Sequence, residues 1–132
     1  MIEGIDHVGV FVADLERSVE NFCRSYGIPE PDVVDVPERR KKYAVIQFGG
    51  CALELLEDYD PDSPLHLRVK NEGSFIHHFA LRSTDIIEDV SSLEKAGSAV
   101  RVGLSPRVGL RGKAVQFMKD KALAFDIEIT QL

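Results

Sequence analysis

Runs of apolar residues set off by glycine, proline and capping residues divide the chain into short strands and amphipathic helices. Ile5 to Val12 reads as a strand rich in β-branched residues. Asp14 then caps a helix whose apolar positions Leu15, Val19, Phe22 and Tyr26 recur at helical spacing until Gly27. Pro29, Pro31 and Pro37 punctuate a loop around a short edge strand at Asp32 to Val36. Tyr43 to Phe48 and Cys51 to Leu56 are predicted strands joined by Gly49-Gly50, a hairpin signal. Ser63-Pro64 has the N-cap and first-turn pattern of a short linking helix to about Lys70.

The same order then returns. Ile76 to Arg82 predicts a strand, Asp85 caps a helix with Ile86, Val90 and Leu93 inward, and Gly97 ends it. Val100 to Val102, Lys113 to Met118 and Ala124 to Thr130 complete the second set of strands. His7 matches His78, Asp14 matches Asp85 and Val19 matches Val90, each 71 residues apart; Gln47-Phe48 is matched to Gln116-Phe117 at a spacing of 69. The expected fold is α+β: tandem βαβββ units, about 1–62 and 72–132, in one domain spanning 1–132. Neither unit has enough apolar area alone, so both are expected to form one curved mixed sheet that cups a metal site, with helices on the outer face.

Strand parity selects the candidate chemistry. If Val8, Val10 and Val12 meet the helix, His7, Gly9 and Phe11 point away from it. The same parity sets His78, Ala80 and Arg82 opposite Phe79 and Leu81. It also sets Glu54 opposite Leu53 and Leu55, and Glu128 opposite Ile127 and Ile129. Two neutral imidazoles and two carboxylates balance a divalent cation and leave coordination positions for water or substrate oxygens. Without a cation, two such carboxylates in a partly enclosed cup repel, and one is expected to take up a proton. His77 has the other parity and reads as structural or as a partner of the ligands. His66, on the linking helix, is expected to face solvent.

Composition narrows the partners. A net charge of −6 argues against nucleic acid or an anionic membrane surface. Hydrophobic residues at 44% and charged residues at 29% describe a globular chain. Cys23 and Cys51 form no CxxC and no disulfide framework, and no leader-like or 18-residue apolar segment is seen, so a cytoplasmic protein is expected. The run Arg39 to Lys42 reads either as a solvated charged edge or as a holder of phosphates. The segment Arg107 to Lys113, with Gly109 and Gly112, reads either as a turn or as a flap over a ligand.

Ile5-Asp6-His7-Val8-Gly9-Val10, Leu53-Glu54-Leu55-Leu56-Glu57, Ile76-His77-His78-Phe79-Ala80 and Ile127-Glu128-Ile129 occur here in an order and spacing that resemble the vicinal oxygen chelate superfamily. That superfamily holds glyoxalase I, methylmalonyl-CoA epimerase, extradiol dioxygenases and the bleomycin and fosfomycin resistance proteins. The resemblance is strongest to the epimerases and implies metal ligation by His7, Glu54, His78 and Glu128. It further implies a divalent ion (Co, Ni, Zn or Mn), a homodimer, and a small-molecule substrate that is an acyl-CoA or a glutathione adduct. Glu128 and Glu54 would then be the acid–base groups, with Tyr43 and Arg107 toward the substrate; Gln47 and Gln116, read from the residues as sharing the concave-face parity, are expected to hydrogen-bond substrate oxygens. Two departures stand out. The acidic residue of epimerases in the strand after the basic loop falls near Tyr43, and Met118-Lys119-Asp120-Lys121 replaces a His-Pro-Lys segment. A glyoxalase-type lyase, an iron dioxygenase using only His7, His78 and Glu128, and a metal-free binding protein are the alternatives; a fourth ligand at Glu54 argues against the dioxygenase.

Overall fold

The computed structural model describes residues 1–103, 106–123 and 125–132. In chain order the elements are β1 (Ile2–Phe11), α1 (Leu15–Tyr26), β2 (Val34–Val36), a 3-10 turn (Pro37–Arg39), β3 (Lys41–Phe48), β4 (Cys51–Asp58), α2 (Pro64–Glu72), β5 (Phe75–Ser83), α3 (Ile86–Ala96), β6 (Ala99–Arg101), β7 (Arg107–Val108), β8 (Ala114–Asp120) and β9 (Asp126–Gln131). The α+β alternation expected from the sequence is present, with two additions: the 3-10 turn and the two-residue β7. Ala124, where the last strand was expected to begin, lies outside the described residues.

The chain divides into two compact units, one built from Met1–Val8 with His77–Leu132 and the other from Gly9–Ile76. In the 9–76 unit, β2, β3 and β4 form an antiparallel ladder, with Val45 opposite Glu54 and Ala44 opposite Leu55. The last residues of β1 run beside β4, where the Val12 N–H donates to the Leu56 carbonyl at 2.8 Å. α1 lies on one face of this ladder because Leu15, Val19 and Cys23 recur on one side of the helix. They bury against Val12, Ala44, Ile46 and Leu55. The Asp14 side chain caps α1 through the Arg17 N–H, and Gly27 ends it at φ 65°, a left-handed conformation that suits glycine.

The other unit repeats this design. Its strands run β1–β5–β9–β8–β6, with β7 paired to β8; β5 and β9 are parallel, and the β8 pairings are antiparallel. α3 packs Ile86 and Val90 onto Ala99, Met118, Ile127 and Ile129. Asp85 caps it through the Glu88 N–H, as Asp14 caps α1. Among the described residues no helix is long and apolar enough to cross a membrane.

The basic run is absorbed by the chain's own acids. Arg40 meets Asp60 at 3.5 Å, Lys41 meets Asp58 at 3.4 Å, and Lys42 meets Glu16 at 2.9 Å and Glu57 at 3.4 Å. These pairings favour the charged-edge reading of that segment. His66, expected to face solvent, is instead half-buried, and its Nδ1 lies 2.8 Å from the Asp58 carbonyl. The end of β4 turns into α2 there, which brings that carbonyl over the first turn of the helix.

Candidate metal centre

β1 and β5 carry His7 and His78 at matching positions of their strands, both buried in the unit that contains both chain ends. Their Nε2 atoms lie 3.1 Å apart, with the rings edge to face at 86°. β9 adds Glu128. Its neighbour across the parallel ladder is Ala80, a side chain small enough to leave the carboxylate room. Glu128 Oε1 is 3.7 Å from His7 Nε2, and Oε2 is 3.7 Å from His78 Nε2. Residues opposite one another in a ladder share a face. Glu128 therefore lies on the side opposite Ile127 and Ile129, which cover α3.

Each imidazole is held from behind by the residue that precedes it in sequence. Asp6 Oδ1 sits 2.8 Å from His7 Nδ1, and His77 Nδ1 sits 2.8 Å from His78 Nδ1. Asp6 in turn meets Arg82 Nε at 3.4 Å and Arg111 Nη1 at 3.7 Å. Phe117, opposite Glu128 in the β8–β9 ladder, packs edge-on against His78 at 5.3 Å and His77 at 6.0 Å. The strand parity of His7, His78 and Glu128 was legible in the sequence. The roles of Asp6, Arg111 and Phe117 were not inferred, although the repeat pairs Asp6 with His77 just as it pairs His7 with His78.

Burial drives the His78 pKa down to about 3, and the neighbouring His7 and His77 add to the effect. Its imidazole is therefore neutral at physiological pH, the form that ligates metals. Burial alone would raise the Asp6 carboxyl. The His7 hydrogen bond and the positive charge of His7, Arg111 and Lys113 outweigh it and hold the group below its ordinary value.

This donor set suits a divalent cation. An ionised Asp6 can only accept, so His7 Nδ1–H donates to it, and Nε2 is the ring nitrogen on the side of His78 and Glu128. Two imidazole nitrogens each about 2.1 Å from one ion, at right-angled to tetrahedral separation, would stand about 3.0–3.4 Å apart. The Nε2–Nε2 distance of 3.1 Å falls in that range. Mixed nitrogen and carboxylate donors suit first-row divalent ions.

In the 9–76 unit, Glu54 is buried on β4 opposite Val45, on the face away from Leu53 and Leu55, as parity predicts. Tyr43 and Gln47 share that face, Tyr43 half-buried and Gln47 exposed. Arg107, paired with Val115, is on the Glu128 face, with its guanidinium 5.7 Å from the Phe117 ring. Gln116 is a correction. It lies opposite Ile129, on the α3 face of β8, where its Nε2 donates to the Val102 and Phe117 carbonyls at 2.9 and 3.0 Å. It is a core amide directed away from the Glu128 face. The segment after Arg107 is a turn, closed by the Gly109 N–H on the Lys113 carbonyl at 2.8 Å. Its residue Arg111 reaches Asp6.

A family model described as "Glyoxalase/Bleomycin resistance protein/Dioxygenase superfamily" matches residues 4–123. An ethylmalonyl-CoA/methylmalonyl-CoA epimerase of Cereibacter sphaeroides is 29% identical, over 92% of this chain and 91% of its own length. A lactoylglutathione lyase of Arabidopsis thaliana is 27% identical, over 86% of this chain but 39% of its own. A Streptomyces coelicolor methylmalonyl-CoA epimerase, solved in complex with 2-nitronate-propionyl-CoA, superposes with a TM-score of 0.85. It has 25% identity and covers 99% of this chain and 98% of the solved one.

Proposed function

Starting from the fact that the chain belongs to the Glyoxalase/Bleomycin resistance protein/Dioxygenase superfamily, we propose that it is a divalent-metal-dependent isomerase acting beside a carbonyl, in the manner of methylmalonyl-CoA epimerase. The observation that carries this reading is the convergence of His7, His78 and Glu128 on one point within a single unit. Glu54 completes the proposed ligand set, supported by its burial, its strand parity and its place as the repeat counterpart of Glu128. A bound divalent ion supplies Lewis acidity that favours negative charge on the substrate's carbonyl oxygen, an effect worth several kcal/mol in such sites.

The chain's own groups do the rest. The Glu128 carboxylate takes the proton from the carbon beside the carbonyl, and Glu54, entering the step as the protonated acid, returns one, the two exchanging roles in the reverse direction. Asp6 and His77 hold the two imidazoles in place, and Phe117 walls the site beside them. Arg107, Tyr43 and Gln47 are proposed to face the remainder of the substrate. An acyl-CoA ester is the proposed substrate class, supported by the epimerase relatives. A cytoplasmic homodimer completes the reading.

Four measurements test it. Purified protein should hold close to one equivalent of divalent metal, and Glu128→Ala and Glu54→Ala should each weaken that binding. Methylmalonyl-CoA in deuterated water should exchange its C2 proton only with metal-loaded enzyme. Turnover of the methylglyoxal–glutathione adduct in place of that exchange would assign the lyase reaction instead, a second reading favoured by the plant relative. Absence of tight metal would sink both and leave a small-molecule-binding protein. Light scattering at micromolar concentration decides the dimer.

A further inference from the structure

β8 carries Val115, Phe117 and Lys119 on one face, because Gln116 and Met118 between them turn toward α3. Phe117 is opposite Glu128, so this is the face of the proposed metal centre. β7 brings Arg107 opposite Val115, with its guanidinium 5.7 Å from the centre of the Phe117 ring. Lys119 lies on the other side of that ring, about 7 Å further along the strand. β6 sets an exposed Val100 opposite Lys119, on the same face. The basic side chains here divide into two kinds. Arg82 and Arg111 are engaged by Asp6, just as Arg40, Lys41 and Lys42 are engaged by acids of the other unit. Arg107 and Lys119 are exposed and make no ion pair among the described residues, although Asp126 is the ladder partner of Lys119.

We propose that Arg107 and Lys119 form an oxyanion-binding subsite for the substrate, with Phe117 and Val100 as the apolar surface under the arm that leads to it. The proposal rests on the isomerase reading above and names what that reading leaves open. The substrate carries a carboxylate or a phosphate that binds beside the centre rather than in it. The two cations differ in what they offer. A guanidinium stacked against an aromatic ring keeps its planar fork of N–H donors for a bidentate oxyanion, whereas an ammonium adds a mobile point charge. Phe117 ties the subsite to the centre, since the same ring packs edge-on against His78 at 5.3 Å. In a chain of net charge −6, two unpaired cations flanking that ring also favour the approach of an anion to this face over its approach elsewhere.

Two thioesters separate the sources of the oxyanion. Methylmalonyl-CoA has a carboxylate and phosphates, and the N-acetylcysteamine thioester of methylmalonate has the carboxylate alone. Arg107→Ala and Lys119→Ala should each raise KM for methylmalonyl-CoA on the order of 10-fold and leave kcat within about twofold, the pattern of binding lost equally from ground and transition states. An equal rise with the short thioester assigns the carboxylate, and a rise confined to the CoA ester assigns a phosphate. Lys119→Arg keeps the charge and should stay near wild type. Lys95→Ala removes an exposed charge from the last turn of α3 and should change neither constant. Calorimetric titration with methylmalonyl-CoA gives Kd without reference to turnover. If the wild type binds the ester but exchanges no proton, the isomerase reading fails, and the subsite still requires the two alanine variants to weaken Kd by the same factor. If the wild type turns over and both variants keep KM and Kd within about twofold of it, the subsite is overturned and the isomerase reading stands. Equal weakening by Lys95→Ala overturns the subsite as well, because the effect would then belong to net charge. A wild type that binds neither thioester overturns both.

Discussion

The carboxylate of Glu57 accepts the backbone N–H of Leu15 at 2.9 Å. The first N–H of α1, which no carbonyl of the helix can reach, is thereby satisfied from the end of β4. Gln131 at the end of β9 does the same for Ile86 and α3, at 3.0 Å. Glu57→Ala should cost about 1–3 kcal/mol, the range for a buried donor left without its charged acceptor. Glu57→Gln keeps an accepting oxygen, as Gln131 does in the other unit, and should cost less than Glu57→Ala. Urea midpoints of the two variants check the order, and equal losses would contradict it.

The two cores should respond alike to truncation. Leu15 in one and Ile129 in the other are fully buried, each between a helix and its ladder. Either residue changed to alanine should lose about 2–5 kcal/mol through lost transfer energy and the cavity left behind. Denaturant unfolding of both variants measures this. A loss below about 1 kcal/mol at either site would mean that the core there collapses to refill the space.

The helices, their caps and the faces of β1, β4, β5 and β9 were legible because the period of each segment and its capping residue agree. Asp14 with Gly27 and Asp85 with Gly97 bound the two helices in the positions expected. Gln116 was misread for a physical reason. Val45 opposes Glu54 as Phe117 opposes Glu128, so the counterpart of Phe117 in β3 is Val45, 72 residues earlier. Matching Gln116 to Gln47 at a spacing of 69 slips the register by an odd number, and an odd slip moves every side chain to the other face. The β8–β9 connection over 121–125 is longer than the Gly49-Gly50 turn, and a repeat aligned on residue identity alone does not register that difference. The backing of His7 by Asp6 escaped because parity says where a side chain starts, whereas a carboxylate can bend round to its neighbour.

Gln116 and Gln47 should accordingly separate stability from binding. Gln116 is buried, its Nε2 holds two backbone carbonyls, and its Oε1 has no partner among the described residues. Gln116→Ala should lower stability by roughly 2–4 kcal/mol through lost hydrogen bonds and a cavity, with metal affinity unchanged. Gln47→Ala, at an exposed position on the Glu54 face, should shift stability by less than about 0.5 kcal/mol and raise KM for the substrate. The pair is checked by thermal unfolding and steady-state kinetics. A KM effect from Gln116→Ala without loss of stability would return that residue to the substrate side.

Acid should destabilise the metal-free protein through His78. Its folded-state pKa is depressed to about 3 by burial and by His7 and His77, against an ordinary value of 6.5 in the unfolded chain. Above 6.5 neither state binds a proton at this residue, and the contribution to stability is present in full. Between 6.5 and 3 the unfolded chain takes up a proton that the folded one refuses, so stability falls as pH falls. The slope approaches about 1.4 kcal/mol per pH unit for a single such group. His78→Asn removes the titrating ring, so its unfolding free energy in chelator should fall less steeply over this window than that of wild type. Urea unfolding at pH 7.5, 6 and 5 measures both slopes, and parallel slopes would mean that His78 is protonated in the folded protein. Adding metal should steepen the wild-type dependence, because the ion keeps its ligands unprotonated in the folded protein while the unfolded chain still takes up protons at those residues.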